Sequence, residues 1–187
     1  RQRILSNRDC SMSNIGKDKD DRAIGEYWED TFCSMCKSRG WEVEAFQRKR
    51  GATFMRDGVR YICPDVWILK RGDRQYACEI KHKTISSKGF YGFEVYRAES
   101  LLSLQRDYSN QFGVVVSLYV IHNWAMNRDK RNRDNHVEHW FAQRLDYLDA
   151  RKQIGEEHTL YNGAVTQNAV PICYYSFKLF RSVTDFI

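Results

Sequence analysis

The run VVVSLYVI at residues 114–121 is apolar or aromatic at every position but one. A strand with one face in water alternates apolar and polar residues, and this one does not. It therefore has to be covered on both faces, which calls for a sheet with further layers above and below it. The flanking segments supply candidates. From Ile24 to Arg39 the apolar residues Ile24, Tyr27 or Trp28, Phe32, Met35 and Cys36 recur at helical steps, and Gly40 is a stop signal. WEVEAF (41–46) alternates as a strand. Residues 48–60, RKRGATFMRDGVR, read as a basic loop or ribbon with two glycines, and 61–83 as a hairpin. A Ser/Gly-rich loop, ISSKGFYG, comes next. Leu101, Leu102, Leu104, Tyr108 and Phe112 then mark a second helix over 97–112, ended by Gly113. VEHWFAQRL (137–145) starts a strand or a helix, and PICYYSFKLF (171–180) reads as a late strand. Helix, three strands, helix, strand describes a mixed α/β domain around a small central sheet.

At 187 residues one domain is the simplest partition. Residues 1–22 are polar and charged and read as an N-terminal arm. Residues 23–187 read as one domain, with its core at 24–121 and a C-terminal elaboration at 122–187. No run of about eighteen apolar residues is present, so no membrane partner is expected. The start, RQRILSNRDC, lacks the apolar centre of a signal peptide. The expectation is an intracellular protein, cytoplasmic or nucleoid/nuclear and not secreted. The net charge of +6 and pI near 9.0 favour a polyanionic partner. Six cysteines form no disulfide framework in such a chain. Cys33 and Cys36 have CxxC spacing, but no second pair matches it, and within a helical pattern they read as small buried side chains rather than zinc ligands.

The hairpin YICPDVWILKRGDRQYACEIKHK (61–83) holds the chemistry. A three-residue loop Arg71-Gly72-Asp73 would close on Lys70 and Arg74. Ile68 then pairs with Tyr76, Val66 with Cys78 and Pro64 with Ile80 on an apolar face. Leu69 pairs with Gln75, Trp67 with Ala77, and Asp65 with Glu79 on the other face, where Lys81 follows Glu79. Two carboxylates so placed have Cβ atoms about 5 Å apart and repel each other. Lys81 alone offsets this in a purely structural ion cluster. A hard divalent cation such as Mg²⁺ offsets it as well, and suits oxygen ligands at this separation. Pro64 has no N–H to give, which puts Asp65 near a sheet end.

Pro64-Asp65, thirteen further residues, and then Glu79-Ile80-Lys81 resemble the signature of the PD-(D/E)XK, or restriction-endonuclease-like, nucleases. Their core of helix, three-stranded meander, helix and strand is the order read above. Gly25-Glu26-Tyr27-Trp28-Glu29, with Gly40 and Trp41 after it, is similar to the first helix of archaeal-type Holliday-junction resolvases. The likeness extends to QFGVVVSLYVI and covers about half the chain; residues 48–60 and 122–187 have no counterpart in it. The resemblance implies a metal-dependent endodeoxyribonuclease leaving a 5′-phosphate and a 3′-hydroxyl. Asp65, Glu79 and the Ile80 backbone carbonyl would hold Mg²⁺ or Mn²⁺. Glu29 would join the metal site, with Glu26 one turn earlier as its substitute. Lys81, its pKa lowered beside a cation, would orient or deprotonate the attacking water. Arg48, Lys49, Arg50 and Lys83 would contact phosphates, His82 would face the opposite side as a core histidine, and Gln105 or Tyr108 would be an auxiliary polar residue or plain helix surface. The expected partner is DNA, double-stranded or branched, with a homodimer as a candidate assembly. A restriction- or homing-type enzyme and a non-cleaving nucleic-acid-binding module on the same scaffold stay open as alternatives.

Overall fold

The computed structural model describes residues 9–45, 53–83, 89–112, 115–123, 137–161 and 164–187. Helix α1 (Asp9–Ser38) starts well before Ile24, so the polar stretch read as an arm is helical from Asp9 onward. KDKDDR (17–22) contains neither glycine nor proline, so nothing in it halts a helix; it only lacks the apolar period that announces one. At the other end Gly40, at φ +79, closes a Schellman motif. Its N–H donates to the Lys37 carbonyl and the Trp41 N–H to the Cys36 carbonyl, which satisfies two of the terminal acceptors.

Strand β1 (Glu42–Ala45) follows. A separate two-stranded ribbon comes next, β2 (Thr53–Arg56) and β3 (Val59–Ile62), joined by Asp57-Gly58 with φ of 49 and 77. Two positive φ values on an Asp-Gly pair are what a type I′ hairpin turn requires. β4 (Val66–Arg71) and β5 (Arg74–Lys83) then complete an antiparallel meander with β1. After β6 (Phe90–Glu94), helix α2 (Val95–Phe112) returns the chain, and β7 (Val115–Asn123) runs parallel to β5. Among the described residues the main sheet has the order β1-β4-β5-β7-β8-β11, with β8 (Trp140–Arg144) and β11 (Arg181–Ser182) on its far side. The short helix α3 (Leu145–Asp149) follows β8, and β9 (Gln153–Tyr161) and β10 (Ala164–Ser176) make a second antiparallel sheet with β6. The protein is thus mixed α/β around a mixed central sheet, with helix, meander, helix and strand in the expected order. The loop expected over 85–92 gives way to a strand at Phe90, and the late strand starts at Ala164 and ends at Ser176, before a 3-10 turn at Phe177–Leu179.

The central strand shows why the sheet is covered twice. Leu118 and Val120 of β7 pack with Trp28, Phe32 and Cys36 of α1. Tyr119 and Ile121, one step out of phase, pack with Ala98, Leu101 and Leu104 of α2. Each large side chain so buried contributes about 1.5–3 kcal/mol, and the two helices lie on opposite faces. Among the described residues no helix is long and apolar enough to cross a membrane.

Candidate active site

The hairpin register differs from expectation near its turn and agrees with it near the acids. The loop has two residues, Gly72-Asp73, and Arg71 pairs with Arg74, Lys70 with Gln75 and Leu69 with Tyr76. A glycine at φ +58 leading a two-residue loop matches the twist of the flanking strands better than the three-residue loop does. A bulge between Val66 and Leu69 then restores the pairing of Val66 with Cys78. The extra residue changes parity, so Leu69 joins Val66 and Cys78 in the core against α1 instead of sharing a face with the acids.

Continued by one residue, the same register sets Asp65 opposite Glu79. Asp65 lies just before β4, and its Oδ2 accepts the Ile80 N–H at 2.7 Å. Cys78 and Ile80 point to α1, so Glu79 and Lys81 point to α2. Glu79 is fully buried. Its Oε1 accepts from Lys81 Nζ at 2.5 Å and also from Arg97, in the first turn of α2. Its Oε2 is buried and has no hydrogen-bond partner among the described residues. The sequence reading missed Arg97; nothing local marks it, since its partners are tertiary. Glu94, at the end of β6, also carries a buried unpartnered Oε2, and its charge acts on Arg97.

The electrostatics follow from this crowding. Burial, then the Glu79 carboxylate, push the Asp65 carboxyl up to about 7, with Lys81 pulling the other way and Glu29 adding a smaller push. Burial by itself would lower Lys81, but the Glu79 and Asp65 charges outweigh it and hold the ammonium above the ordinary lysine range. The protein's own acids thus act on Lys81 in the opposite sense to the lowering expected beside a cation.

Glu29 sits on α1, across the sheet from Glu79 and Lys81. Its field reaches Asp65, yet among the described residues no three His, Cys, Asp or Glu side chains form a set able to hold a metal ion. Glu29 therefore does not close a three-carboxylate shell with Asp65 and Glu79. Lys83 Nζ donates to the Gly92 carbonyl rather than standing open for a phosphate. Arg48, Lys49 and Arg50 lie outside the described residues. Gln105 is a clamp: its Oε1 accepts the Ser117 N–H at 2.8 Å and its Nε2 reaches Asp146 Oδ2 at 3.3 Å.

His82 faces α1, as its parity requires. Its Nδ1 lies 2.9 Å from that of His122, and both rings stack on Trp28, at 5.1 and 3.5 Å between centroids. Burial, then His82 and His139, push His122 down to about 3, so it stays a neutral core residue. Cys33, Cys36 and Cys78 are buried in the same core, and burial followed by the Cys33 charge drives Cys36 up to about 12. A thiol so held stays protonated and packs as a small hydrophobe.

The residues present fit a divalent cation. Among the described residues one buried oxygen, Glu79 Oε2, has no donor, the Asp65 carboxyl stands opposite, and Ile80 with its backbone carbonyl follows Glu79 in β5. Two carboxylates and a carbonyl suit Mg²⁺, which fills its remaining octahedral positions with water.

No family model matches this chain, and no curated protein does. Among solved structures it is similar to Hjc, a Holliday junction resolvase from the archaeal hyperthermophile Archaeoglobus fulgidus. The TM-score is 0.45 and the identity 11%, over 80% of this chain and 88% of that one. A likeness so distant assigns neither family nor activity, and the functional reading rests on the side chains above.

Proposed function

We propose that this protein is a divalent-metal-dependent endodeoxyribonuclease. The observation that carries the reading is Glu79: a fully buried carboxylate, opposite a second acid, with one oxygen that has no donor among the described residues. An unsatisfied buried polar atom costs about 1–3 kcal/mol, and more when charged, so such a site persists where function uses it. Asp65, Glu79 and the Ile80 carbonyl would hold Mg²⁺ or Mn²⁺, which when bound supplies Lewis acidity and an acidified water at neutral pH. Lys81 keeps its proton under the pull of Glu79 and Asp65. Its role is accordingly to orient the nucleophile and steady negative charge growing on the scissile phosphate, rather than to act as base. Arg97, on the same carboxylate oxygen, adds a second fixed cation. Glu29 acts through its field on Asp65 and can anchor a water there. Branched DNA is the substrate to try first, with sequence-specific cutting of duplex DNA as the alternative.

A non-cleaving nucleic-acid-binding module is favoured by one observation: Lys81 and Arg97 already neutralise Glu79 Oε1, as a self-contained ion cluster would. Nicking of supercoiled plasmid, single strands and a four-way junction in Mg²⁺ separates the two. The nuclease reading expects cleavage that falls by at least about a hundredfold in Glu79→Ala and Lys81→Ala. Cleavage indifferent to both substitutions removes the site, and DNA binding without cleavage in wild-type protein leaves the module.

A further inference from the structure

Among the described residues the ribbon β2–β3 is not strand-paired with either larger sheet, and much of it stands in water. Met55 is 60% exposed and Val59 46%, with Thr53, Asp57, Gly58 and Arg60 exposed too. The pairing of Met55 with Arg60 and of Arg56 with Val59 puts Met55 and Val59 on opposite faces at the turn end of the ribbon. The base of the ribbon, by contrast, is fixed. Tyr61 is buried, its hydroxyl donates to Asp107 Oδ2 at 2.5 Å, and the Ile62 N–H donates to Ser100 Oγ at 2.8 Å. Asp107 and Ser100 both belong to α2, the helix whose first turn brings Arg97 to Glu79. Chain and helix thus tie the ribbon to the site twice, since only Cys63 separates Ile62 from Pro64-Asp65.

We infer that the turn end of the ribbon, residues 55–60, enters a groove of duplex DNA beside the phosphate to be cut, presenting Met55 and Arg60 to it. The identity of the partner rests on the nuclease reading. Dimensions and chemistry agree with it. Past the fixed base at Tyr61 and Ile62, the pairs Met55–Arg60 and Arg56–Val59 project with the turn; two residues per strand at about 3.4 Å each make about 7 Å of strand. The major groove is about 12 Å wide and admits a two-stranded ribbon. Met55 pairs with Arg60 across the ribbon, so both side chains occupy one face. An apolar group beside a guanidinium is a combination that meets thymine methyls together with guanine edges or phosphates. The type I′ turn at Asp57-Gly58 holds the tip narrow.

The test measures binding of a fluorescein-labelled duplex by anisotropy, in EDTA so that no cleavage occurs, across a range of salt. Met55→Ser is expected to weaken duplex binding by about tenfold with the salt slope unchanged, and Arg60→Glu by at least about tenfold with the slope reduced by about one. Arg71→Glu, at the opposite end of β4, controls for net charge and should cost distinctly less. Thermal midpoints recorded alongside check that each variant is folded. Duplex affinity equal to wild type in both ribbon variants overturns the proposal, as does a loss in Arg71→Glu equal to that in Arg60→Glu. If wild-type protein never nicks DNA while the ribbon variants still lose duplex affinity, the nuclease reading falls and the ribbon stands. If cleavage is robust and binding ignores the ribbon, the reverse holds.

Discussion

Asp65 and Glu79 share one problem, two acids in a space with little water, and they meet it differently. Glu79 has Lys81 and Arg97, whereas Asp65 has one backbone N–H and remains protonated up to about pH 7. The sign of the consequence follows from the raised value. Below the ordinary aspartate value of 3.8 both folded and unfolded chains carry the proton, and the group's stabilisation is complete. As pH rises toward 7 the unfolded chain gives up its proton first, so stability falls, by at most about 4 kcal/mol. In EDTA the thermal midpoint should therefore decline between pH 5 and 8, and Asp65→Asn should flatten that decline; a wild-type curve already flat would contradict it. Arg97 is testable by coupling. Removing one partner of a buried pair costs about 3–5 kcal/mol, but removing both costs less than the sum. Urea titrations of Arg97→Met, Glu79→Leu and the double variant should give a coupling of more than about 1 kcal/mol. The acids and Lys81 are legible in the sequence because they interrupt an apolar alternation. Arg97 and Glu94 interrupt nothing, so only the packing of α2 against β5 reveals them.

At the level of elements, the sequence shows what local chemistry dictates. Gly40 stops α1 by a named hydrogen-bond motif, and the run at 114–121 forces a doubly covered strand. It does not show where a hairpin loop ends to within one residue, because Arg71-Gly72-Asp73 accommodates loops of either two or three. Nor does it show the sheet β6-β10-β9, in which β6 comes from a distant part of the chain and its pairing with β10 is a tertiary outcome. The bulge between Val66 and Leu69 separates the turn from the acids, so errors at one end need not reach the other. Gly72→Ala forces a Cβ into the left-handed region and should cost about 1–2 kcal/mol. The m-value should stay unchanged, and the Asp65-dependent slope of stability with pH should survive. Loss of that slope in Gly72→Ala would mean that turn and site are one cooperative unit.

Across the whole molecule, the site can be examined with no substrate at all. A cation that binds the folded chain and not the unfolded one stabilises by mass action, about 2.7 kcal/mol at a hundred times its dissociation constant. For a chain of this size each kcal/mol moves the midpoint by about 2–4 °C, so Mg²⁺ or Mn²⁺ should raise it by about 5–10 °C at pH 8. The gain should shrink at pH 6, where Asp65 holds its proton. Glu79→Ala should abolish it. A general ionic effect on a chain of net charge +6 would appear with Na⁺ at matched ionic strength and would ignore Glu79. The two outcomes separate cleanly, because a seat for a hard cation responds to charge density and ligand number, whereas a self-sufficient cluster of Glu79, Lys81 and Arg97 gains nothing from a further positive ion and is, if anything, loosened by it.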